Sequence, residues 1–152
     1  MPKSIKPFSK EELIKLSSLK YNELAAEIIF PFIGNFMTKK ELSSLISKSY
    51  SHFRCEDVVK ISDLGKFKIL ELFHGPTLAF KDIAMQLIGN FYQYHLESAE
   101  KKINIIVATS GDTGAAAIDA LKGKSNLNVF VLHPHNKISP CLLYTSDAAD
   151  DE

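Results

Sequence analysis

Residues 103–121 read INIIVATSGDTGAAAIDAL, and this stretch decides the fold. Its first six residues form an apolar run suited to a central strand of a parallel sheet. The turn TSGDTG, residues 109–114, follows, and the alanine-rich segment 115–121 predicts a helix that Gly123 closes. Residues 128–132, NVFVL, predict the next strand. Strand, helix and strand in this order favour an α/β domain with a parallel sheet.

The same alternation extends upstream. Residues 68–73, KILELF, predict a strand, and 58–61, VVKI, are a shorter strand candidate. The segment 81–100 predicts an amphipathic helix, because apolar residues recur with the 3.6-residue period at Ile83, Ala84, Leu87, Ile88, Phe91 and Tyr94. We therefore predict an incomplete parallel βαβαβ sheet over residues 54–139.

Residues 1–53 predict a helical layer. Ser9 with Glu12 and Thr38 with Glu41 are capping boxes that mark two helix starts. Pro31 should end or kink the helix between them. Because this region contains no catalytic constellation, we interpret it as a packing layer.

Composition limits the possible functions. The 152 residues are 45% hydrophobic and 24% charged with no net charge, which indicates a globular protein. The sequence shows no dense basic patch and no apolar run long enough for a membrane span, so we expect neither nucleic acid nor membrane as a partner. The first residues, MPKSIKP, lack the apolar region typical of a signal peptide. The cysteines, Cys55 and Cys141, form neither a disulfide framework nor a zinc pattern, so we expect a cytoplasmic protein.

Lys81 is the strongest functional candidate. It begins the predicted helix, where the partial positive charge of the helix N-terminus disfavours a cation. Its neighbours are mostly apolar, and desolvation also favours the neutral amine, which is a nucleophile that can form a Schiff base. The alternative is a solvated surface lysine, with Asp82 providing the favourable first-turn charge.

The turn 109–114 is the second candidate. Free backbone N–H groups at a helix start, with serine and threonine hydroxyls, make an anion site. In the alternative interpretation Ser110, Asp112 or Thr113 merely caps the helix. Lys81 and this turn both follow predicted strands, where open α/β sheets bind ligands. A carbonyl cofactor on the amine and an amino-acid carboxylate on the turn would fit such a pair.

Three histidines lie near these segments. His133 and His135 could bind a metal as an H-x-H pair, but without further ligands we favour a structural or surface role and predict no metal site. His74 could contact the site or could bond to the turn that follows it; the sequence leaves both open.

ELFHGPTLAFKD, residues 71–82, and ATSGDTG, residues 108–114, closely resemble threonine synthases. These are pyridoxal-phosphate enzymes of the tryptophan-synthase-β fold type. YNELA, residues 21–25, and FVLHPH, residues 130–135, also resemble that family. The resemblance covers about residues 8–139, and it implies that the predicted sheet belongs to this fold.

The resemblance implies a role for each candidate. Lys81 would hold pyridoxal 5'-phosphate as a Schiff base and then act as the proton-shuttling base, with Phe80 and Asp82 framing it. The segment Ser110, Gly111, Asp112 and Thr113 would bind the substrate carboxylate beside the cofactor ring. Asp112 stands where many relatives of this fold type carry asparagine. Because an ionised aspartate can only accept hydrogen bonds, its bond to the cofactor stays unassigned.

The implied reaction converts O-phospho-L-homoserine and water into L-threonine and phosphate, the last step of threonine biosynthesis. That makes the expected enzyme a carbon–oxygen lyase acting on phosphates, monomeric or homodimeric at full length. Two alternatives stay open: another lyase of this fold type, such as a threonine dehydratase, and a catalytically silent protein that binds a phosphorylated metabolite.

The ends of the chain depart from the family pattern. Met1 resembles an internal start, and residues 140–152 resemble adaptor-derived sequence outside the fold. The family's cofactor-phosphate cradle would lie beyond Ser139. We therefore expect an N-terminal fragment that is inactive alone, with segments 1–53, 54–139 and 140–152.

Overall fold

The computed structural model describes residues 7–135. The chain divides into two compact units, Met1–Lys48 and Ser49–Glu152. The tail predicted at 140–152 lies outside the described residues. Among the described helices, none combines the length and apolar character needed to cross a bilayer.

The first unit is helical, as predicted. Helix α1 spans Lys10–Ser17, α2 spans Tyr21–Ile33, and α3 begins at Lys39 and ends at Tyr50, just beyond the unit. Both capping boxes are confirmed by paired hydrogen bonds, Ser9 with Glu12 and Thr38 with Glu41. The buried apolar residues of this unit are Ala26, Met37, Leu42, Leu45 and Ile46.

Pro31 lies inside α2 rather than at its end. A proline removes one helical hydrogen bond but does not by itself stop the chain. The helix ends two residues after it, and Gly34 follows with a left-handed φ of 62°. The prediction of a helix end near Pro31 is thus correct to within one turn.

The second unit contains a hairpin and a parallel strand pair. Strands β1, Lys60–Leu64, and β2, Phe67–Glu71, pair antiparallel. Strands β3, Ile103–Ala108, and β4, Leu127–Leu132, pair parallel in register from Ile103 opposite Leu127. Helices α4, Lys81–Ala99, and α5, Asp112–Leu121, complete the unit. The α/β class is confirmed.

The prediction of one parallel βαβαβ sheet was wrong for its first strand. Among the described strands, β2 pairs with β1 in a separate two-stranded sheet, and only β3–α5–β4 forms a parallel unit. A two-residue loop joins the hairpin, and Gly65 has the positive φ, 61°, that tight hairpin turns need. Val58 has a left-handed φ of 63°, so β1 begins at Lys60 rather than at 58.

Helix α5 packs on one face of the parallel pair and against α4. Its buried residues are Gly114, Ala116, Ala117, Ile118, Ala120 and Leu121. Exposure alternates along β3 and β4, as a sheet covered on one face requires. The uncovered face carries large apolar side chains, Ile106, Phe130 and Leu132, each more than half exposed.

Candidate active site

Helices α4 and α5 run side by side in the same direction. The amide of Gln86 donates to the carboxyl of Asp119, 33 residues further on. The Lys124 ammonium donates to the Asn90 amide oxygen at 2.8 Å, across a separation of 34 residues. Because later residues of α4 meet correspondingly later residues of α5 and its following turn, both helices begin at the same end of the unit. That end carries Lys81 and the turn 109–114.

Lys81 is the first residue of α4 and is half-buried. Its Nζ lies 4.0 Å from the centroid of the Phe80 ring, which is 57% exposed. The Phe80 ring therefore lies directly against the head group of Lys81. The solvated-lysine interpretation does not describe this residue fully, since the side chain is partly covered.

The structural reason that we predicted for the position of Lys81 was wrong. We expected it to follow the carboxyl end of a strand in the parallel sheet, but the preceding strand β2 belongs to the hairpin and ends at Glu71, ten residues earlier. The position of Lys81 comes from α4, which packs along α5. The packing of α4 along α5, rather than the order of strands in a sheet, therefore places Lys81 at this end of the unit.

The turn after β3 is capped by a residue that sequence reasoning missed, Thr109. Its hydroxyl accepts from the N–H of Gly114 at 3.0 Å and of Gly111 at 3.3 Å. The methyl group fills the space beside Gly114, where an added Cβ would lie 2.1 Å from Thr109 Cγ2. Helix α5 can therefore begin at Asp112, three residues earlier than predicted. Thr109 lies two residues before the N-cap Gly111, so the usual preference for threonine at the N-cap position did not point to it.

Capping by Thr109 leaves the predicted ligand groups unused. Within residues 7–135, no hydrogen bond engages the side chains of Ser110, Asp112 or Thr113, and none engages the backbone N–H of Asp112 or Thr113. Ser110 and Asp112 are exposed and Thr113 is half-buried. The alternative in which one of these three residues caps the helix is not what the structure contains. Two N–H groups and two hydroxyls at a helix start can bind a carboxylate.

The end of β4 holds this turn in place. The backbone N–H of Thr109 donates to the Leu132 carbonyl at 3.0 Å, which continues the parallel ladder past β3. The ring Nδ1 of His133 lies 3.2 Å from the Thr109 carbonyl, so Nδ1 donates there. His133 thus takes the structural role that the sequence favoured. Among the described residues, no group of three metal-ligating side chains could hold a metal ion.

His74 turns toward the hairpin. Its Nε2 lies 2.9 Å from the Glu71 carboxylate, and its carbonyl accepts from the Arg54 N–H at 2.8 Å. The Ser62 hydroxyl also donates to Glu71. The hydrogen bond from Ser62, with that of His74, holds the pKa of the Glu71 carboxyl below its ordinary value despite partial desolvation. His74 therefore fastens the strand end to the segment that leads to Lys81.

Fold and geometry together define a class: α/β proteins in which two neighbouring helices present a lysine and a turn with unpaired N–H and hydroxyl groups at one end. The chain is 41% identical to threonine synthase from Eremothecium gossypii and 42% identical to that of Saccharomyces cerevisiae, over 88% and 82% of its length. It is 40% identical to threonine synthase-like 2 from Homo sapiens over 88% of its length. It spans only 29%, 27% and 28% of these three proteins.

Solved structures show the same similarity to threonine synthases. Threonine synthase from Brucella melitensis, determined with bound PLP, superposes with a TM-score of 0.87 at 36% identity, covering 95% of this chain and 32% of that one. The yeast enzyme superposes with a TM-score of 0.84 at 38% identity, covering 90% and 30%. Residues 1–50 match the family model described as the threonine synthase N terminus. Over the segment that it spans, the chain belongs to the threonine synthase family.

Proposed function

We propose that this chain carries the reactive lysine and the substrate-carboxylate wall of a threonine synthase active site. The reaction is the conversion of O-phospho-L-homoserine and water into L-threonine and phosphate with pyridoxal 5'-phosphate. One observation carries the proposal: α4 and α5 begin at the same end, which brings the half-buried Lys81 and the unpaired groups of residues 110–113 to one side of the unit.

The residues present fit the proposed ligands. Lys81 offers a primary amine to a carbonyl compound, and Phe80 presents an exposed ring beside it. The substrate carboxylate would accept from the backbone N–H groups of Asp112 and Thr113 and from the Ser110 hydroxyl. Bound PLP supplies an electron sink that acidifies the substrate Cα–H.

In this proposal Lys81 has two tasks. Its amine would anchor the cofactor and, as a free amine, would take protons from Cα and Cβ of the substrate and return protons to Cγ and Cα. The carboxylate wall keeps the substrate oriented during those transfers. Asp112 carries a carboxylate of its own, so its side chain would point away from the bound substrate carboxylate while its backbone N–H binds it. Loss of the Cβ proton would let phosphate leave from Cγ, Cγ would take up a proton to become the methyl carbon, and water would add at Cβ.

The test uses a full-length relative. Residues 7–135 of this chain would replace the matching segment of Saccharomyces cerevisiae threonine synthase, and the purified chimera would be given PLP. We expect the absorbance band of a lysine-bound cofactor and formation of threonine and phosphate. Lys81→Ala should remove the band and lower threonine formation by about a thousandfold or more, whereas Lys66→Ala, in the exposed hairpin loop, should change neither. A soluble chimera without band or product would sink the proposal.

A second candidate function has a specific observation in its favour. The human threonine synthase-like 2 protein is as similar to this chain as the threonine synthases are. The second candidate is therefore a catalytically silent protein that binds a phosphorylated metabolite, or a related lyase. In the same chimera, phosphate release without threonine would favour the related lyase. Cofactor binding without phosphate release would favour the silent protein.

A further inference from the structure

The carboxylate of Asp82 is the most deeply buried charged group among the described residues, with 0% of the residue exposed. Both of its oxygens are engaged by one neighbour. The backbone N–H of Thr77 donates to Oδ2 at 2.9 Å, and the Thr77 hydroxyl donates to Oδ1 at 2.6 Å. A buried carboxylate is costly unless its oxygens are bonded, so this pair is a strong constraint on the segment between the two residues.

The turn before Thr77 is shaped around the same carboxylate. An added Cβ on Gly75 would lie 2.4 Å from both Cβ and Oδ2 of Asp82, which leaves room for glycine alone. Leu78 has a left-handed φ of 62°, and its N–H donates to the Gly75 carbonyl at 3.2 Å. Leucine in this conformation is strained and persists where its surroundings hold it. Asp82 supplies that constraint.

Lys81 lies inside this closed segment. It is the residue immediately before Asp82, whose own N–H donates to the carbonyl of the buried Ala79 at 3.0 Å. The backbone on both sides of the lysine is therefore anchored. We propose that Asp82, through Thr77, is a positioning residue that fixes where the Lys81 amine is presented. This role rests on the proposed function for its catalytic meaning, although the positioning itself can be tested without the cofactor.

The experiment compares Thr77→Val with Thr77→Ser in the full 152-residue chain. Valine keeps the shape and the backbone N–H but removes the donor to Oδ1, and serine restores the hydroxyl. Lysines are labelled by reductive methylation with formaldehyde, and the Lys81 rate is read relative to the exposed Lys66 by peptide mass spectrometry. We expect Thr77→Val to raise the relative Lys81 rate about fivefold as the half-buried amine is released, and Thr77→Ser to stay within about twofold of the wild type.

The second readout is capture of pyridoxal 5'-phosphate at Lys81 in the chimera with Saccharomyces cerevisiae threonine synthase, trapped with borohydride and mapped in the same way. Thr77→Val should lower the share of trapped pyridoxal label at Lys81 while methylation of Lys81 rises. A general loss of fold would not move pyridoxal capture and methylation in opposite directions. An unchanged methylation ratio in Thr77→Val overturns the positioning role. A shifted ratio together with a chimera that captures no cofactor keeps the positioning role and counts against the proposed function.

Melting followed by circular dichroism identifies a variant that has lost its fold. If Thr77→Val is unfolded, Asp82→Asn replaces it. Asparagine is isosteric, and its amide oxygen and amide N–H can bond the Thr77 N–H and hydroxyl in turn, but without the charge. A methylation ratio in Asp82→Asn equal to the wild-type value would then support positioning by geometry. A ratio equal to that of the unfolded chain would overturn it.

Discussion

Asp119 shows at the scale of one residue how partial desolvation shifts a pKa even on an exposed side chain. It lies on α5, and desolvation raises the pKa of its carboxyl above the ordinary 3.8, although the hydrogen bond from Gln86 opposes the shift. The nearby negative charge of Asp82 raises the pKa further. A raised pKa means that the folded state binds the proton more tightly than the unfolded state does. Stability therefore falls as pH rises from about 3.8 through the raised value.

Asp119→Asn should remove the loss of stability that the wild type shows as pH rises. We expect the variant to be more stable than the wild type at pH 7.5, by less than about 1 kcal/mol because water screens a half-exposed group, and the gain should vanish near pH 3.5. Urea unfolding at the two pH values measures it. Gln86→Ala is the control: without the opposing hydrogen bond, the pH dependence of the wild-type Asp119 should steepen. A gain equal at both pH values would contradict this account.

The pKa shift of Glu71 has the opposite sign. Its pKa is held below the ordinary 4.5 by the Ser62 hydroxyl, so it contributes stability above that value, which is lost as pH falls through the lowered pKa. Ser62→Ala should shift the midpoint of acid unfolding to higher pH. Ser43→Ala is the matched control, because that hydroxyl donates to the Lys39 carbonyl and not to a carboxylate. An acid midpoint that does not move in Ser62→Ala would exclude this contribution.

Between elements, the contact of α4 with α5 decides where Lys81 lies relative to the turn 109–114. Gly89 lies at this contact, where an added Cβ would be 2.4 Å from the Ala120 carbonyl oxygen and 3.1 Å from Lys124 Cε. Beside it, the buried Asn90 bonds Ser49 at 2.8 Å and accepts from Lys124. The helices can approach this closely because glycine has no side chain, and their approach sets the position of Lys81 relative to the turn.

Gly89→Ala should force α4 and α5 apart. We expect a loss of about 1–3 kcal/mol in the free energy of unfolding, despite the better helix propensity of alanine, because the blocking atom is backbone. Gly111→Ala is the control for folding, since an added Cβ there meets nothing within 4 Å and φ is an extended −170°. Denaturant melts of the two variants measure the difference. Equal stability would show that the helices separate at little cost.

At the scale of the whole molecule, apolar surface is the dominant feature. The parallel pair exposes Ile106 by 67%, Phe130 by 53% and Leu132 by 57%, and the hairpin exposes Phe67 by 70%. Two-stranded hairpins and uncovered sheet faces are marginal in water. The chain spans 27–32% of the relatives described above, and we propose that threonine formation needs regions of those relatives that this chain does not span.

The purified 152-residue chain should therefore bind a hydrophobic dye, self-associate and form no threonine from O-phospho-L-homoserine. Ile106→Thr should lower dye binding, because it removes apolar surface while keeping a β-branched side chain. Ile105→Thr, on the half-buried face of the same strand, should instead destabilise the fold. Threonine production by the chain alone would refute this prediction.

Local rules predicted much of this molecule. Ser9 and Thr38 marked two helix starts because capping is a contact across three residues, and the apolar period of α4 predicted a helix that the structure contains from Lys81 to Ala99. The pairing of β2 could not be predicted in the same way, because β2 is a strand in either a hairpin or a parallel sheet. Gly65 and its two-residue loop decided it.

The sequence alone therefore places most helices and strands approximately and makes Lys81 and residues 110–113 candidate site residues, since propensity, capping and residue chemistry act over a few neighbours. Tertiary structure decides which strands pair, that Thr109 rather than Ser110, Asp112 or Thr113 caps α5, and that α4 and α5 begin at one end. The pairing of β3 with β4 and the packing of α4 on α5 join residues far apart in sequence, such as Ile103 with Leu127 and Asn90 with Lys124, which no local pattern contains. The β1–β2 hairpin and the Thr109 cap are short-range, but the backbone path of each turn decides them.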